Sequence, residues 1–305
     1  MITSQKLIQR VNDFYTRKRT EKLAKESFIN SVLTSYPEYL EVENAIGKTK
    51  LEIAKSEYSN DYKTAKKLSA ELKILNEKKS KILDNIGYYK FFSKNENDCE
   101  LCKDTGFVNG KRCKCFTKKL TAYALEELGI RERPEIRFGA SRPDFLKKQY
   151  DALEAYCKAF PDSLIKNFVF TGNSGTGKTY LASCVVSEIS SKGYNAIFLT
   201  ANELNDIFLK LHTGEADRIL INDILTTADL LVIDDLGTEP IYNNITAEYL
   251  LSLISRRSDK DKPFIITTNL SPSEILARYN ERFYSRISGK KTLRLLFEGY
   301  DLRKQ

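Results

Sequence analysis

The stretch Gly172-Asn173-Ser174-Gly175-Thr176-Gly177-Lys178-Thr179 decides the fold of this 305-residue chain. It fits the pattern G-x-x-x-x-G-K-[ST] at every defined position, and it follows a short apolar run, NFVFTG (167–172), that predicts a strand. The residues after it, 178–190, have the apolar periodicity of a helix. A strand, a glycine-rich loop and a helix in this order predict a phosphate-binding loop, in which main-chain N–H groups and the helix dipole hold phosphate oxygens.

The loop predicts ATP and Mg²⁺ as ligands of the chain. Lys178 is expected to reach the β- and γ-phosphates, and the Thr179 hydroxyl is expected to ligate Mg²⁺. The predicted nucleotide-binding residues are the loop and the residue after it: Gly172, Asn173, Ser174, Gly175, Thr176, Gly177, Lys178, Thr179 and Tyr180.

Two further apolar runs end in polar side chains that suit phosphoryl transfer. Leu230-Leu231-Val232-Ile233 predicts a buried strand that ends in Asp234 and Asp235. Asp234 would hold Mg²⁺, directly or through water, and Asp235 would polarise the attacking water. The alternative is a strand that ends in a capping pair of aspartates. Asn269 ends the run PFIITTN (263–269), and its neutral amide is suited to holding water near the γ-phosphate.

The C-terminal half alternates strands with helices. Besides the runs above, 196–200 and 292–297 predict strands, while 202–212 and 246–257 predict helices. Such alternation predicts an α/β fold with a parallel, doubly wound sheet between helices.

Residues 1–94 predict a helical domain of a different kind. Apolar residues follow a heptad spacing from Leu51 to Ile86, interrupted at Asp61 and Lys79. The Ser59-Asn60-Asp61 stretch is a point at which the stripe can break into a helical hairpin. A stripe buried inside a small domain is favoured over an intermolecular coiled coil.

Four cysteines lie close together in the sequence, with the spacing Cys99-x₂-Cys102-x₁₀-Cys113-x-Cys115. In a cytosolic chain such a window predicts a structural Zn²⁺ site more than disulfides, with Asn109-Gly110 available for the return turn. Four reduced cysteines without a metal are the alternative.

Composition excludes several classes of protein. The chain has one His, which excludes catalysis by a His dyad and a His-rich metal site, and it has no apolar run long enough to span a membrane. The first 25 residues lack the apolar core of a signal peptide, so a cytoplasmic protein is expected.

The net charge of +8 divides into +5 over residues 1–98, +3 over 99–133 and zero over 134–305. A basic N-terminal third is suited to nucleic acid or an acidic protein surface, and a solvated helix surface is the alternative.

Together, GNSGTGKT, LLVIDDLG, IITTN and ERFYSRI resemble the AAA+ ATPases over about residues 134–305. The resemblance is closer to bacterial replicative-helicase loaders of the DnaC/DnaI type and their IstB-type transposition relatives. It implies that Asn269 is the sensor-1 residue, that Arg286 or Arg282 is an arginine finger, and that Arg303 belongs to a sensor-2 segment. Asp235 stands where many members carry Glu, which implies slower hydrolysis. The short segment after Phe297 implies an absent or minimal C-terminal lid.

The cysteine window favours the loader branch, and that resemblance implies the function. The chain is expected to be an ATP-dependent loader of the replicative helicase onto single-stranded DNA, slow and stimulated by its partners. Its partners would be the hexameric replicative helicase, single-stranded DNA and further copies of the ATPase domain, without a membrane. Alternatives are a transposase-helper ATPase acting on duplex DNA and an ATP-responsive adaptor with little turnover.

The resemblance and the composition together divide the chain into four segments. A helicase-binding helical domain is expected at 1–94, a Cys₄ zinc knuckle at 95–119, a linker and helix at 120–160, and the ATPase domain at 161–305. The basic knuckle is equally suited to DNA and to protein, and Lys210 and Arg218 are candidate DNA contacts.

Overall fold

A computed structural model of the protein describes residues 3–88, 97–139 and 142–304. Residues 89–94 of the predicted helical domain, 95–96 of the cysteine segment and Ser141, the predicted start of a helix, lie outside the described residues. The chain divides into two compact units, one of residues 13–105 and one of residues 1–12 with 106–305. The four-segment division stays a prediction.

Among its described residues, the unit of residues 13–105 contains three helices, of which α1 (Ser4–Leu33) enters it from residue 13. Helices α2 (Pro37–Tyr58) and α3 (Tyr62–Asn85) form an antiparallel pair around a small apolar core. Buried residues of that core are Leu33, Tyr39, Val42, Ile46, Ile82 and Leu83.

The predicted break of the heptad stripe is confirmed. Asn60 adopts a left-handed φ of 59°, and Asp61 caps α3 by accepting a hydrogen bond from the Thr64 N–H at 3.1 Å. A continuous buried stripe is wrong, however, because Leu51 and Tyr58 are exposed. The buried face of α2 consists of Tyr39, Val42, Ile46 and Thr49, which is out of phase with Leu51 and Tyr58. Lys79 interrupts the stripe because it pairs with Glu43 on α2 at 2.6 Å.

The unit of residues 1–12 and 106–305 carries a five-stranded parallel sheet, as the sequence predicts. Its strands are β3 (Asn167–Gly172), β4 (Ala196–Thr200), β5 (Leu230–Leu236), β6 (Phe264–Thr268) and β7 (Thr292–Phe297). They are ordered β4-β5-β6-β3-β7. A short antiparallel hairpin precedes them, formed by β1 (Phe107–Val108) and β2 (Lys111–Arg112).

Helices connect these strands and cover the sheet. In chain order they are α4 (Lys114–Glu127), α5 (Lys147–Ala159), α6 (Lys178–Ser191), α7 (Ala201–Thr213), α8 (Arg218–Thr227), α9 (Thr246–Asp259), α10 (Pro272–Tyr279) and α11 (Glu281–Ile287). The predicted helix over 141–160 is shorter, because a 3₁₀ turn at Asp144–Leu146 follows Pro143 and precedes α5. After β7, the described residues contain one further 3₁₀ turn, Leu302–Lys304.

The order of the strands positions the functional side chains. The core between the sheet and helices α5 and α6 is aromatic and aliphatic, with Phe168, Phe170, Leu181 and Val232 almost fully buried. Parallel strands all end at one edge of the sheet, which is where such folds bind ligands. Since β6 lies between β3 and β5, the residue after β6 is placed between the phosphate loop and the aspartates. Within the described part of the chain, no helix is both long and apolar enough to cross a membrane.

Candidate nucleotide-binding site

The predicted phosphate loop joins β3 to α6. Gly172 has a φ of +136°, and a Cβ there would collide with the main chain of Phe297 at the end of β7. Gly177, at a φ of +94°, caps the N-terminus of α6. Inside the loop, the Thr176 hydroxyl donates to the Asn173 carbonyl at 2.8 Å and is almost fully buried. The loop is therefore rigid, and it lies directly before a helix N-terminus that favours anions.

Lys178 is held inside the loop. Its Nζ donates to the carbonyls of Gly172 at 2.7 Å and Asn173 at 2.6 Å, and to Asn269 Oδ1 at 2.8 Å. Burial lowers the pKa of Lys178, and the nearby Asp235 and Asp234 oppose that shift. The ammonium is thus pre-positioned by three oxygens at the place where polyphosphate oxygens are expected.

Asp234 lies beside Thr179, as a shared metal site requires. The Thr179 hydroxyl donates to the two carboxylate oxygens of Asp234 at 3.0 and 3.1 Å, and the Thr267 hydroxyl donates to Oδ1 at 2.6 Å. Burial raises the pKa of Asp234, while the bonds from Thr267 and Thr179 act against that rise. A hydroxyl next to a buried carboxylate is an oxygen donor set of the kind Mg²⁺ prefers, so the residues fit this ion.

Asp235 stands at an irregularity in the sheet. Its φ is +59°, and the pairing of β5 with β6 shifts between Ile233 and Leu236. The Asp235 N–H donates to Thr267 Oγ1 at 2.8 Å, and Asn269 Nδ2 donates to Asp235 Oδ1 at 3.2 Å. This bulge turns the carboxylate toward Asn269 instead of into the sheet. Asn269 therefore joins Lys178 to Asp235, and it lies one residue beyond the end of β6.

Arg303 lies at the phosphate loop. Its NH2 donates to Ser174 Oγ at 3.1 Å, and its Nε donates to Asp301 Oδ1 at 3.0 Å. The Asp301 carboxylate contacts Gly175, where a Cβ would collide with it, and the Leu302 N–H donates to the Gly175 carbonyl at 2.9 Å. The segment around Arg303 thus lies against the loop, and its sensor-2 role stays a prediction.

The two candidate finger arginines lie on the last helix before β7. Arg282 and Arg286 lie on α11, and both are exposed. Arg286 lines a cleft at the start of β3 and β7, together with the basic residues Lys166, Lys262, Lys290 and Lys291. The loop follows the opposite end of β3, about 17 Å away at 3.3 Å per residue. Arg286 therefore lies at the end of the sheet opposite to the phosphate loop of its own chain.

Three other predicted contacts have partners inside the unit. The Tyr180 hydroxyl donates to the Arg137 carbonyl at 3.1 Å, so it faces the segment before α5. Lys210 donates to the Leu128 carbonyl at 2.7 Å, and the Arg218 guanidinium lies 5.7 Å from the centre of the Tyr249 ring. Lys210 and Arg218 thus both make contacts within this unit, and their contact with DNA stays a prediction.

Sequence reasoning missed Thr267, Asp301 and Glu239. Thr267 stands in the TTN element and bonds both aspartates of the site, so the hydroxyl before Asn269 was an available signal. Asp301 and Glu239 carried no signal, because their roles depend on which segments the fold brings together.

The four predicted zinc ligands form a cluster. The sulfur atoms of Cys99, Cys102, Cys113 and Cys115 all lie within 4.8 Å of one another. A tetrahedral Zn²⁺ with Zn–S bonds of about 2.3 Å needs sulfurs about 3.8 Å apart, so the donor set fits this metal. Asn109 and Gly110 both have positive φ and make the return turn between β1 and β2, as predicted.

These features define a class of protein. A glycine loop with a buried lysine, a hydroxyl beside a buried carboxylate, and a parallel sheet ordered around them are the fold and site of a P-loop ATPase of the α/β class.

Comparison with known proteins narrows the class. Residues 156–283 match the family described as IstB-like ATP binding protein. The replicative helicase loader DnaC of Escherichia coli K12 is 30% identical over 142 residues, which are 45% of this chain and 56% of that protein. The ATP-binding protein of insertion sequence IS5376 from Geobacillus stearothermophilus is 33% identical over 110 residues, 36% of this chain and 42% of that protein. Residues 156–283 therefore carry a domain that matches the IstB-like ATP binding proteins, and part of the chain is similar in sequence to the DnaC loader.

Comparison with solved structures gives two further matches to parts of the chain. The match to a crystal structure of the DnaC helicase loader has a TM-score of 0.47 and a sequence identity of 24%. This match covers 52% of this chain and 94% of the DnaC chain. A crystal structure of DnaI has a TM-score of 0.44 and 18% identity, over 59% of this chain and 93% of that chain. The match to DnaC of E. coli spans about half the length of that protein.

Proposed function

We propose that this protein is an ATP-dependent loader of the replicative helicase onto single-stranded DNA. The observation that carries the proposal is the Lys178–Asn269–Asp235 connection, in a domain whose sequence is similar to that of the DnaC loader over 142 residues. It links the residue expected on the γ-phosphate to the residue expected on the attacking water.

In the proposed hydrolysis of ATP to ADP and phosphate, several residues of the chain have distinct roles. Lys178 and the loop N–H groups bind the polyphosphate, and Thr179 and Asp234 would hold Mg²⁺, which neutralises charge on the phosphates. Asp235, aimed by Asn269, orients a water whose oxygen bonds to the γ-phosphorus as the bond to the β,γ-bridging oxygen breaks. The proton of that water passes to the Asp235 carboxylate.

Charge that develops on the γ-phosphate needs a cation from a second copy. Arg286 is the better placed of the two arginines, because it lines a cleft rich in lysines. Arg303 supplies a cation in its own chain through its position at Ser174. Turnover therefore depends on self-association through the ATPase domain, and it is expected to be slow in dilute protein.

The N-terminal helices and the Cys₄ cluster form the proposed helicase-binding part of the protein. Binding and hydrolysis of ATP would then change the affinity of the protein for helicase and for single-stranded DNA. The exposed side chains of Leu51 and Tyr58 offer apolar surface on the helical pair, and the cluster would hold Zn²⁺ as a structural ion.

The decisive experiment is a helicase-loading assay with the full chain. It compares wild type with Lys178→Ala for capture of the cognate hexameric helicase and for its transfer to circular single-stranded DNA, with ATP and Mg²⁺. We expect both proteins to capture the helicase and only the wild type to release it productively. Absence of capture by the wild type contradicts the proposal.

A transposase-helper function is the second candidate, favoured by the 33% identity to the insertion-sequence protein over 110 residues. It predicts tight, ATP-dependent binding to duplex DNA without helicase. A third possibility is an ATP-responsive adaptor with negligible turnover. ATPase rates of wild type and Asp235→Asn, each measured with and without DNA and helicase, distinguish it from the loader. Equal rates in the two proteins favour the adaptor.

A further inference from the structure

Glu239 is a buried carboxylate that the nucleotide chemistry above leaves without a role. Its side chain is 2% exposed, and it lies four residues after Asp235. Its Oε2 accepts a hydrogen bond from the Gly237 N–H at 2.9 Å. Its Oε1 accepts one from the Tyr279 hydroxyl and lies 3.8 Å from Arg278 Nε. A carboxylate as buried as this is stable only with such partners, so its position is tightly constrained.

One side of Glu239 fixes the turn that follows Asp235. Gly237 has a φ of +110°, and a Cβ there would approach the Leu270 side chain to 2.6 Å. The turn is therefore wedged against the residue after Asn269, and the bond from Gly237 to Glu239 closes it. Because Asp235 lies two residues before Gly237, this bond contributes to the aim of its carboxylate.

The other side of Glu239 reaches the junction of α10 and α11. Tyr279 is the last residue of α10 and is 1% exposed. Asn280 follows it, ends α10 and caps α11 by accepting the Phe283 N–H at 3.1 Å. The rings of Tyr279 and Phe283 lie 5.2 Å apart between centroids. The Tyr279 ring thus packs against the first turn of the helix that carries the two candidate finger arginines, while its hydroxyl bonds Glu239.

A second contact supports the same connection. An NH2 of Arg278 donates to the main-chain carbonyl of Glu239, so α10 is tied to this turn through both backbone and side chain. Hydrogen bonds in a buried, low-dielectric setting are stronger than in water, and a partner left unpaired there is costly. The turn and the C-terminal end of α10 therefore cannot separate without breaking a buried bond, and Asn280 joins that end directly to α11.

We propose that Glu239 is a positioning residue that couples the Asp235 turn to α11, so that the nucleotide bound by one subunit controls the arginines that the same subunit presents to its neighbour. The inference rests on the proposed function, because it needs ATP at the loop and a second copy at α11. It adds a physical connection between the two faces of one ATPase domain.

The test uses Tyr279→Phe in the full chain. This change removes only the hydroxyl that bonds Glu239 and keeps the ring packed on Phe283. Glu239→Gln is the second variant, since it replaces one of the two acceptor oxygens with an NH₂ group, which cannot accept from the Gly237 N–H or from the Tyr279 hydroxyl. The matched control is Tyr156→Phe: Tyr156 is 2% exposed, and its hydroxyl donates at 3.4 Å to the Lys166 carbonyl.

The readout is hydrogen–deuterium exchange with and without a non-hydrolysable ATP analogue and Mg²⁺. In wild type and Tyr156→Phe, we expect the analogue to slow exchange both in the loop, 172–179, and in α11. In Tyr279→Phe and Glu239→Gln, loop protection persists and α11 protection falls by about threefold or more. In steady-state assays, Tyr279→Phe lowers kcat and leaves KM within about twofold.

The outcomes separate the two proposals. Retained α11 protection in Tyr279→Phe, or no α11 protection in a wild type whose loop is protected, overturns the role of Glu239 and leaves ATP binding intact. A wild type in which the analogue protects neither segment contradicts ATP binding itself, and the role of Glu239 falls with it.

Discussion

Replacing Asp234 by Asn tests the metal site without disturbing its shape. The amide keeps an oxygen that can accept from the Thr179 or Thr267 hydroxyl, but it carries no charge. Because burial raises the pKa of Asp234, the apo fold disfavours the ionised carboxylate. We therefore expect Asp234→Asn to melt at the same temperature as wild type or higher, while Mg²⁺-dependent ATP affinity is lost.

The size of that loss follows from the geometry. The Thr179 hydroxyl lies 3.0 and 3.1 Å from the carboxylate oxygens, so a cation on this hydroxyl would lie within about 4 Å of the negative charge. At that distance and an effective dielectric constant of about 20, one pair of unit charges contributes about 4 kcal/mol, and we count one unit of the Mg²⁺ charge because the ATP phosphates compensate the rest. That energy corresponds to about 10³-fold in affinity, and water between the ion and the carboxylate reduces it to about 10²-fold.

The assay is titration of a fluorescent ATP analogue with Mg²⁺ and again with EDTA, together with thermal melting. The matched control is Asp229→Asn, because Asp229 immediately precedes the same strand at its other end and pairs with Lys262 at 2.9 Å. Mg²⁺-dependent affinity of Asp234→Asn within about threefold of wild type refutes the reasoning. An equal loss in EDTA, or in Asp229→Asn, refutes it as well.

Further predictions concern acidity, the loop and the cysteine cluster. Since the raised pKa of Asp234 leaves more of it protonated as the pH falls, ATP·Mg²⁺ affinity should decline at a higher pH than an ordinary aspartate requires; a pH titration of affinity checks this, and Asp234→Asn should stay flat. Gly172→Ala should destabilise the protein by about 1–3 kcal/mol through its positive φ, and by more if β7 cannot yield to the new Cβ. Denaturant unfolding measures this, and an unchanged midpoint contradicts the packing of the loop on β7. Cys102→Ala should lower bound zinc from about one ion per chain, whereas the buried Cys157→Ala should not. Metal analysis of the purified variants measures their zinc content. Equal zinc in the two variants would contradict zinc binding by the cluster.

Local patterns were sufficient for much of the fold. The phosphate loop, the strand that ends in the aspartates and the TTN run predicted a parallel sheet, and the structure has five parallel strands with nearly those bounds. Period and turn chemistry, which are properties of neighbouring residues, carry this information. The prediction that the stripe from Leu51 is buried throughout was wrong, because burial depends on which face of each helix packs against the other.

The amino-acid sequence by itself determined which chemical groups the protein has for binding a nucleotide and a metal, because glycines, Lys178, Thr179 and four close cysteines need no distant partner to be recognised. Only the tertiary structure decided which groups meet. It placed β6 between the loop and the aspartates, so that Asn269 joins Lys178 to Asp235, and it brought Asp301 and Arg303 against the loop. It also buried Glu239 between a turn and a helix that are 40 residues apart at Tyr279, a pairing set by packing in three dimensions and invisible to any local pattern.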